Sequence, residues 1–160
     1  MSGPDGRGGT APPDGADVTA GQRRDAGMAV RREVLSDEHV DRAEARKGPF
    51  TADFQDLITR YAWGEIWTRP GLDRRTRSAI TLTALVARGH WGELEMHVRA
   101  ARRNGLSADE IGEVLLQTAI YCGVPDANHA FAVAQRVLEE DGVDGVDGVD
   151  GVDGVEEGRA

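Results

Sequence analysis

The stretch GHWGELEMHVRAARRNG, Gly89 to Gly105, places His90, Glu93 and His97 within eight positions of a chain that has four histidines. On a helix these three side chains follow one another at successive turns. A carboxylate one turn before an imidazole can accept its N–H, fix the tautomer and raise its pKa. Those are the requirements for a general acid working near neutral pH. Two blander readings stay open. Glu93 and His97 could be an exposed i, i+4 ion pair worth ~0.3–0.5 kcal/mol. A His/Glu/His metal site would need a ligand from another segment to complete a tetrahedron, and His129 is the histidine considered for that part.

The elements that must hold these residues read as helices. In SADEIGEVLLQTAIYC, residues Ile111, Val114, Leu115, Thr118, Ala119 and Cys122 lay one stripe along a helix. Ser107 with Glu110 forms a capping box there, and Leu106 is placed to staple onto Ile111. In PDANHAFAVAQRVL, residues Ala127, Ala130, Phe131, Ala134, Val137 and Leu138 repeat that spacing after a proline suited to a first turn. The two predict a helical hairpin around Gly123. SAITLTALVAR is apolar nearly all round, as expected of a helix at the centre of a bundle. TADFQDLITRYAWGEIW sets Phe54, Leu57, Ile58 and Tyr61 on one stripe and Trp63 and Trp67 one turn apart, until RPG stops the helix. In the helix carrying His97, Leu94, Val98 and Ala101 face the core, with His97 on the flank of that stripe. The expectation is an all-α bundle of five to six helices without a sheet.

At 160 residues the chain suits a single domain. Its net charge of −9 is concentrated at one end: residues 139–160 hold nine of the 28 acids and one of the 19 bases. Residues 21–138 keep 16 acids against 17 bases, which offers no field to steer a nucleic acid. That arginine-rich, near-neutral segment can still receive a small anion, because guanidinium groups pair with carboxylates in a planar fork. Residues 1–20, of Gly, Pro and Asp, and the five DGV copies within 141–160 lack the apolar content to fold, so both are expected to be tails around a domain at 21–140. A single cysteine, Cys122, excludes an internal disulfide and a Cys-x-x-Cys pair. No apolar run has the ~20 residues of a membrane span and no secretory h-region opens the chain, so a cytoplasmic protein is expected.

Three segments, RRDAGMAVRREVLSDEHVDRA, FTADFQDLITRYAWGEIWTRPGLDRRTRS and LLQTAIYCGVPDANHAF, resemble in order and spacing the characteristic blocks of bacterial carboxymuconolactone decarboxylases of protocatechuate breakdown. The resemblance runs from about Gln22 to Leu138. It implies the alkylhydroperoxidase D-like helical fold, a homo-oligomer of six copies, and cofactor-free conversion of 4-carboxymuconolactone to 3-oxoadipate enol-lactone and CO2. In the peroxidase branch of that fold a Cys-x-x-Cys pair precedes a helical histidine. If His97 matches that histidine, His90 and Glu93 hold the cysteine positions, so the dithiol chemistry is absent while the site can remain.

The implied reaction suits such residues. The departing carboxylate is joined through the ring C=C to the lactone carbonyl, so the substrate carries its own electron sink and neither a metal nor an organic cofactor is required. The protein must hold the spectator acetate arm, stabilise the dienolate oxygen and protonate the ring carbon beside the carbonyl. Within the resemblance, His97 is the candidate acid and Glu93 its orienting partner. Arg77 and Arg75 are candidates for binding carboxylate, and His90 and His129 for further substrate contact. His129 suits a subunit contact equally, and arginine-rich turns commonly serve the same end. Cys122 reads as a packed thiol, and Trp63 and Trp67 as core or interface. Glu65 and Tyr61 are within conceivable reach of a site. The rival readings are a peroxide-reducing protein, disfavoured by the missing second thiol, and a non-catalytic oligomeric binding protein. Apolar residues beyond what one small bundle buries predict subunit contacts, with WGEIWTRPGLDRR as the candidate corner.

Overall fold

The computed structural model describes residues 18–142. The expected tails lie outside these residues except at Val18–Ala20 and Asp141–Gly142. The described chain is helical throughout, with no strand: α1 (Ala20–Leu35), α2 (Asp37–Ala45), α3 (Ala52–Ile58), α4 (Arg74–Ala87), α5 (Trp91–Arg103), α6 (Ala108–Cys122) and α7 (Val124–Glu140). A π-helical stretch, Thr59–Ile66, continues α3. Seven helices thus replace the expected five or six. The extra division falls at Ser36, whose φ of 87° ends α1 while its hydroxyl accepts from the His39 amide to start α2. The tail boundary moves as well, since Thr19 already caps α1 through a capping box with Gln22.

Several local expectations are met. Ser107 and Glu110 form the reciprocal capping box of α6, and Leu106 is buried in the same cluster as Ile111. Gly123, at φ 100°, turns α6 into α7. The α1 helix crosses the π stretch through a glycine pair. A Cβ on Gly27 would stand 2.1 Å from the Thr59 carbonyl oxygen, and one on Gly64 2.2 Å from that of Arg23. Only glycine permits backbones this close.

The core has two parts that share α5. Leu82, Val86, Leu94, Val98, Leu115 and Val137 lie at the centre of the larger, between α4, α5, α6 and α7. Val34, Leu35, Val40, Trp63 and Ala100 make the smaller, between α1, α2, the π stretch and α5. Two amphipathic expectations need correction. On α4 only Ser78, Leu82 and Val86 are buried while Ile80, Thr83, Ala84 and Ala87 face outward, so it is not wrapped at the centre. Along α3 and the π stretch, Phe54, Leu57 and Tyr61 of the expected stripe are exposed and Ile58 is half-buried, while α1 packs on the π stretch through Gly27 and Gly64.

Candidate active site

His97 sits on α5 between the faces that serve the two core clusters. Leu94, Val98 and Ala101 point into the larger cluster and Met96 and Ala100 into the smaller. The half-buried imidazole thus lies between the two clusters, with Glu93 and His39 the charged or titratable groups near it. Its Nδ1 is buried without a hydrogen-bond partner. Burial lowers the His97 pKa from 6.5 to about 4, against an opposing pull from Glu93 and with a smaller push downward from His39. Desolvation prevails because it penalises the charged ring itself, whereas Glu93 is exposed and its field is screened by water. This corrects the expected Glu93–His97 pair: no hydrogen bond joins them, and the imidazole is neutral rather than primed as an acid.

The other expected site residues fall at opposite ends of α5. His90 is the exposed N-cap residue and gives no side-chain cap. His129, exposed near the start of α7, stacks on Trp91 with ring centroids 4.2 Å apart. Arg75 and Arg77 lie at the far end, where the first turns of α4 meet the end of α5: Asn104 donates to the Ser78 hydroxyl at 2.9 Å. With a rise of 1.5 Å per residue, His90 and Asn104 are separated by roughly 21 Å along the helix. One chain therefore does not gather all six candidates. The Arg75 guanidinium is taken up by the Gly105 carbonyl and Glu110, a strut from α4 to the start of α6 rather than an open receptor for substrate. Arg77 donates one Nη to the Arg69 carbonyl at 2.9 Å, and its buried Nε has no partner. No group of three or more potential metal-binding side chains assembles among the described residues.

Comparison with known proteins bears on all six residues together. Residues 52–136, which include every one of them, match the profile of the Carboxymuconolactone decarboxylase family. A 4-carboxymuconolactone decarboxylase of Acinetobacter baylyi is 44% identical over 122 residues, covering 76% of this chain and 91% of the relative. The chain belongs to the carboxymuconolactone decarboxylase family. A nitrosuccinic acid decarboxylase of Metarhizium robertsii is similar at 43% identity over 116 residues, 72% of this chain and 81% of that protein. A 44-residue match at 54% identity covers 28% of this chain and 92% of a Pseudomonas putida 4-carboxymuconolactone decarboxylase.

As a member of this family the chain is an enzyme of the decarboxylase type. The structure draws attention to residues that lie outside the matched profile and that the spacing argument passed over. His39 on α2 is close enough to His97 for their charges to interact, and it lies amid Arg42, Arg31, Arg103 and Arg46. Its signal was present in EHVDRAEAR, where His39, Arg42 and Arg46 recur at turn spacing on one face. What the sequence hides is that α2 folds back toward α5. No helix among the described residues is long and apolar enough to cross a membrane.

Proposed function

We propose that this protein decarboxylates 4-carboxymuconolactone to 3-oxoadipate enol-lactone and CO2 in aromatic catabolism. The observation that carries the reading is the buried, unpartnered Nδ1 of His97, within a family whose similar members are named decarboxylases. The C–C bond to the ring carboxylate breaks, and its electron pair flows through the ring C=C to the lactone carbonyl oxygen. A proton then adds to the carbon beside that carbonyl. Exclusion of water by bound substrate favours the first step, because a carboxylate is stabilised by water more than the delocalised dienolate that replaces it. The neutral His97 of the free chain receives its proton when the dianionic substrate binds, since nearby negative charge favours the imidazolium. It then delivers that proton to the ring carbon. Glu93 adds to the field that favours this charged form. Arg77, with an unpartnered Nε, is retained as a carboxylate ligand; Arg75 serves as a strut.

The separation of His90 and His129 from the arginines supports a site shared between copies in a homo-oligomer of six. Bare apolar groups supply the contacts: Ile80 on α4, Leu116, Ile120 and Tyr121 on α6, and Phe54 on α3. The sequence-based corner contributes Ile66 and Leu72, each about half exposed. We place the enzyme in the cytoplasm.

A second substrate is favoured by the Metarhizium relative. Nitrosuccinate resembles the lactone in one respect: a carboxyl group leaves from a carbon joined to an electron-accepting group, while a second carboxylate stays on a CH2 arm. A coupled assay with freshly made 4-carboxymuconolactone, run beside nitrosuccinate, tests the reading. Turnover of the lactone, lost by ~10²–10⁴-fold in folded His97→Gln, is expected. Folded wild-type protein that leaves the lactone untouched refutes it.

A further inference from the structure

Arg31 is 4% exposed, yet no carboxylate pairs with it. Its Nη groups donate to two neutral acceptors, Thr59 Oγ1 at 3.2 Å and Gln55 Oε1 at 3.0 Å, and its buried Nε has no partner. A guanidinium does not shed its proton in a protein, so the buried charge persists and calls for an anion.

No carboxylate among the described residues pairs with it, and several of the nearest are engaged elsewhere. Asp37 and Asp41 both pair with Arg32, at 3.0 and 2.7 Å. Asp56 is held by Arg60 at 2.7 Å and Arg24 at 3.5 Å. Glu44 acts on Arg31 only through its field, because its carboxylate is bonded to Lys47. Glu38 borders a neighbouring cleft instead.

Gln55 is also part of the wall of a cavity of about 290 Å³ between α2 and the start of α3. The other polar side chains lining it are His39, Arg42, Arg46, Lys47 and Thr51, with no acid among them. Of the three lining cations, Arg42 and Arg46 are not in ion pairs among the described residues and Lys47 is; burial and the neighbouring arginines push the His39 imidazole below its ordinary pKa, towards the neutral form. The volume is that of a small-molecule pocket, in which Arg42 and the C-cap residue Arg46 stand one turn apart along α2; Arg31 does not line it and reaches it only through its hydrogen bond to Gln55 Oε1. Two planar guanidinium forks one turn apart suit an anion with two separated carboxylates better than a single compact ion.

We propose that the cavity lined by His39, Arg42, Arg46, Lys47, Thr51 and Gln55 is a binding site for a small dicarboxylate. The choice of a dicarboxylate over an inorganic anion rests on the substrate class proposed above; the existence of an anion site does not. The ligand is either the substrate's own pair of carboxylates or a free dicarboxylate effector, the same chemistry from two sources.

The probe is succinate, titrated calorimetrically into the full chain at constant ionic strength, with propionate and inorganic phosphate alongside. Saturable binding of succinate, tighter than of either comparison ion, is expected. It should weaken at least tenfold in Arg42→Ala/Arg46→Ala, whose side chains are exposed and outside the core. Gln55→Glu is the second variant: it supplies Arg31 with a counter-charge, so it should abolish succinate binding while raising the melting temperature. A general surface-charge effect would not produce that combination. Succinate that competes with the lactone in turnover assigns the site to the substrate, and succinate that binds without competing assigns it to an effector. No saturable succinate binding, tighter binding of phosphate, or unchanged binding in both variants overturns the proposal. An active decarboxylase with any of these results leaves the catalytic reading standing, and an inactive protein that binds succinate does the reverse.

Discussion

The buried imidazole makes a quantitative statement about acid stability. In the unfolded chain His97 titrates at its ordinary 6.5, and in the folded chain at about 4. Between these values the unfolded state binds the proton that the folded state refuses, so stability rises with pH and is lost on acidification. At pH 5 the linkage integral gives about 2 kcal/mol lost relative to pH 7.5, approaching about 3 kcal/mol near pH 4. The perturbation is His97→Gln, which keeps a polar group of similar reach and removes the titration. Urea unfolding of wild type and variant at pH 7.5, 6 and 5 and one fixed protein concentration reads the difference. The variant should gain about 2 kcal/mol on wild type across that range. His39 is lowered in the same direction but is present in both proteins and cancels. Glu95, held at about 2 by Arg136 and Arg99, titrates below the window. Parallel curves would refute the burial argument. A wild type that gains on the variant as pH falls would restore the Glu93-paired imidazolium in its place.

Gly27→Ala should destabilise by about 1–3 kcal/mol or more in urea unfolding, because its Cβ meets backbone, which cannot swing aside as a side chain can. Ser36→Gly should stabilise by about 1 kcal/mol in the same assay, since φ 87° with ψ 154° is a glycine conformation and the hydroxyl it gives up accepts at a long 3.3 Å. Arg75→Met is expected to lower stability by up to about 1 kcal/mol with KM unchanged, as for an exposed ion pair, whereas Arg77→Met should raise KM. Equal KM effects would return Arg75 to the substrate. Removing residues 143–160 should leave turnover and the mass seen by light scattering per subunit count unchanged, because the DGV repeat offers little apolar surface to bury.

Periodicity sufficed for the helices because burial of a stripe is a local pattern. The α6 and α7 stripes and the Ser107–Glu110 box appear as spaced in the chain. Apolar content alone misled on α4 and α3, since it says that a face wants cover without saying whether the cover belongs to the same chain. For the candidate site, the sequence made His97 conspicuous through its place on the flank of an apolar stripe. The sign of its pKa shift was beyond reach, because that depends on how completely α1, α2 and α5 exclude water from the ring. The sequence by itself determined the all-helical class, the α6 and α7 stripes, the Ser107–Glu110 cap and the lack of a second thiol, and it made His97 a candidate. Tertiary structure alone decided that Arg75 is spent on Glu110, that Arg31 is buried without a counter-ion, and that α2 brings His39 toward His97. Those outcomes turn on distances between segments far apart in the chain, and electrostatic energies follow distance and burial rather than order along the backbone.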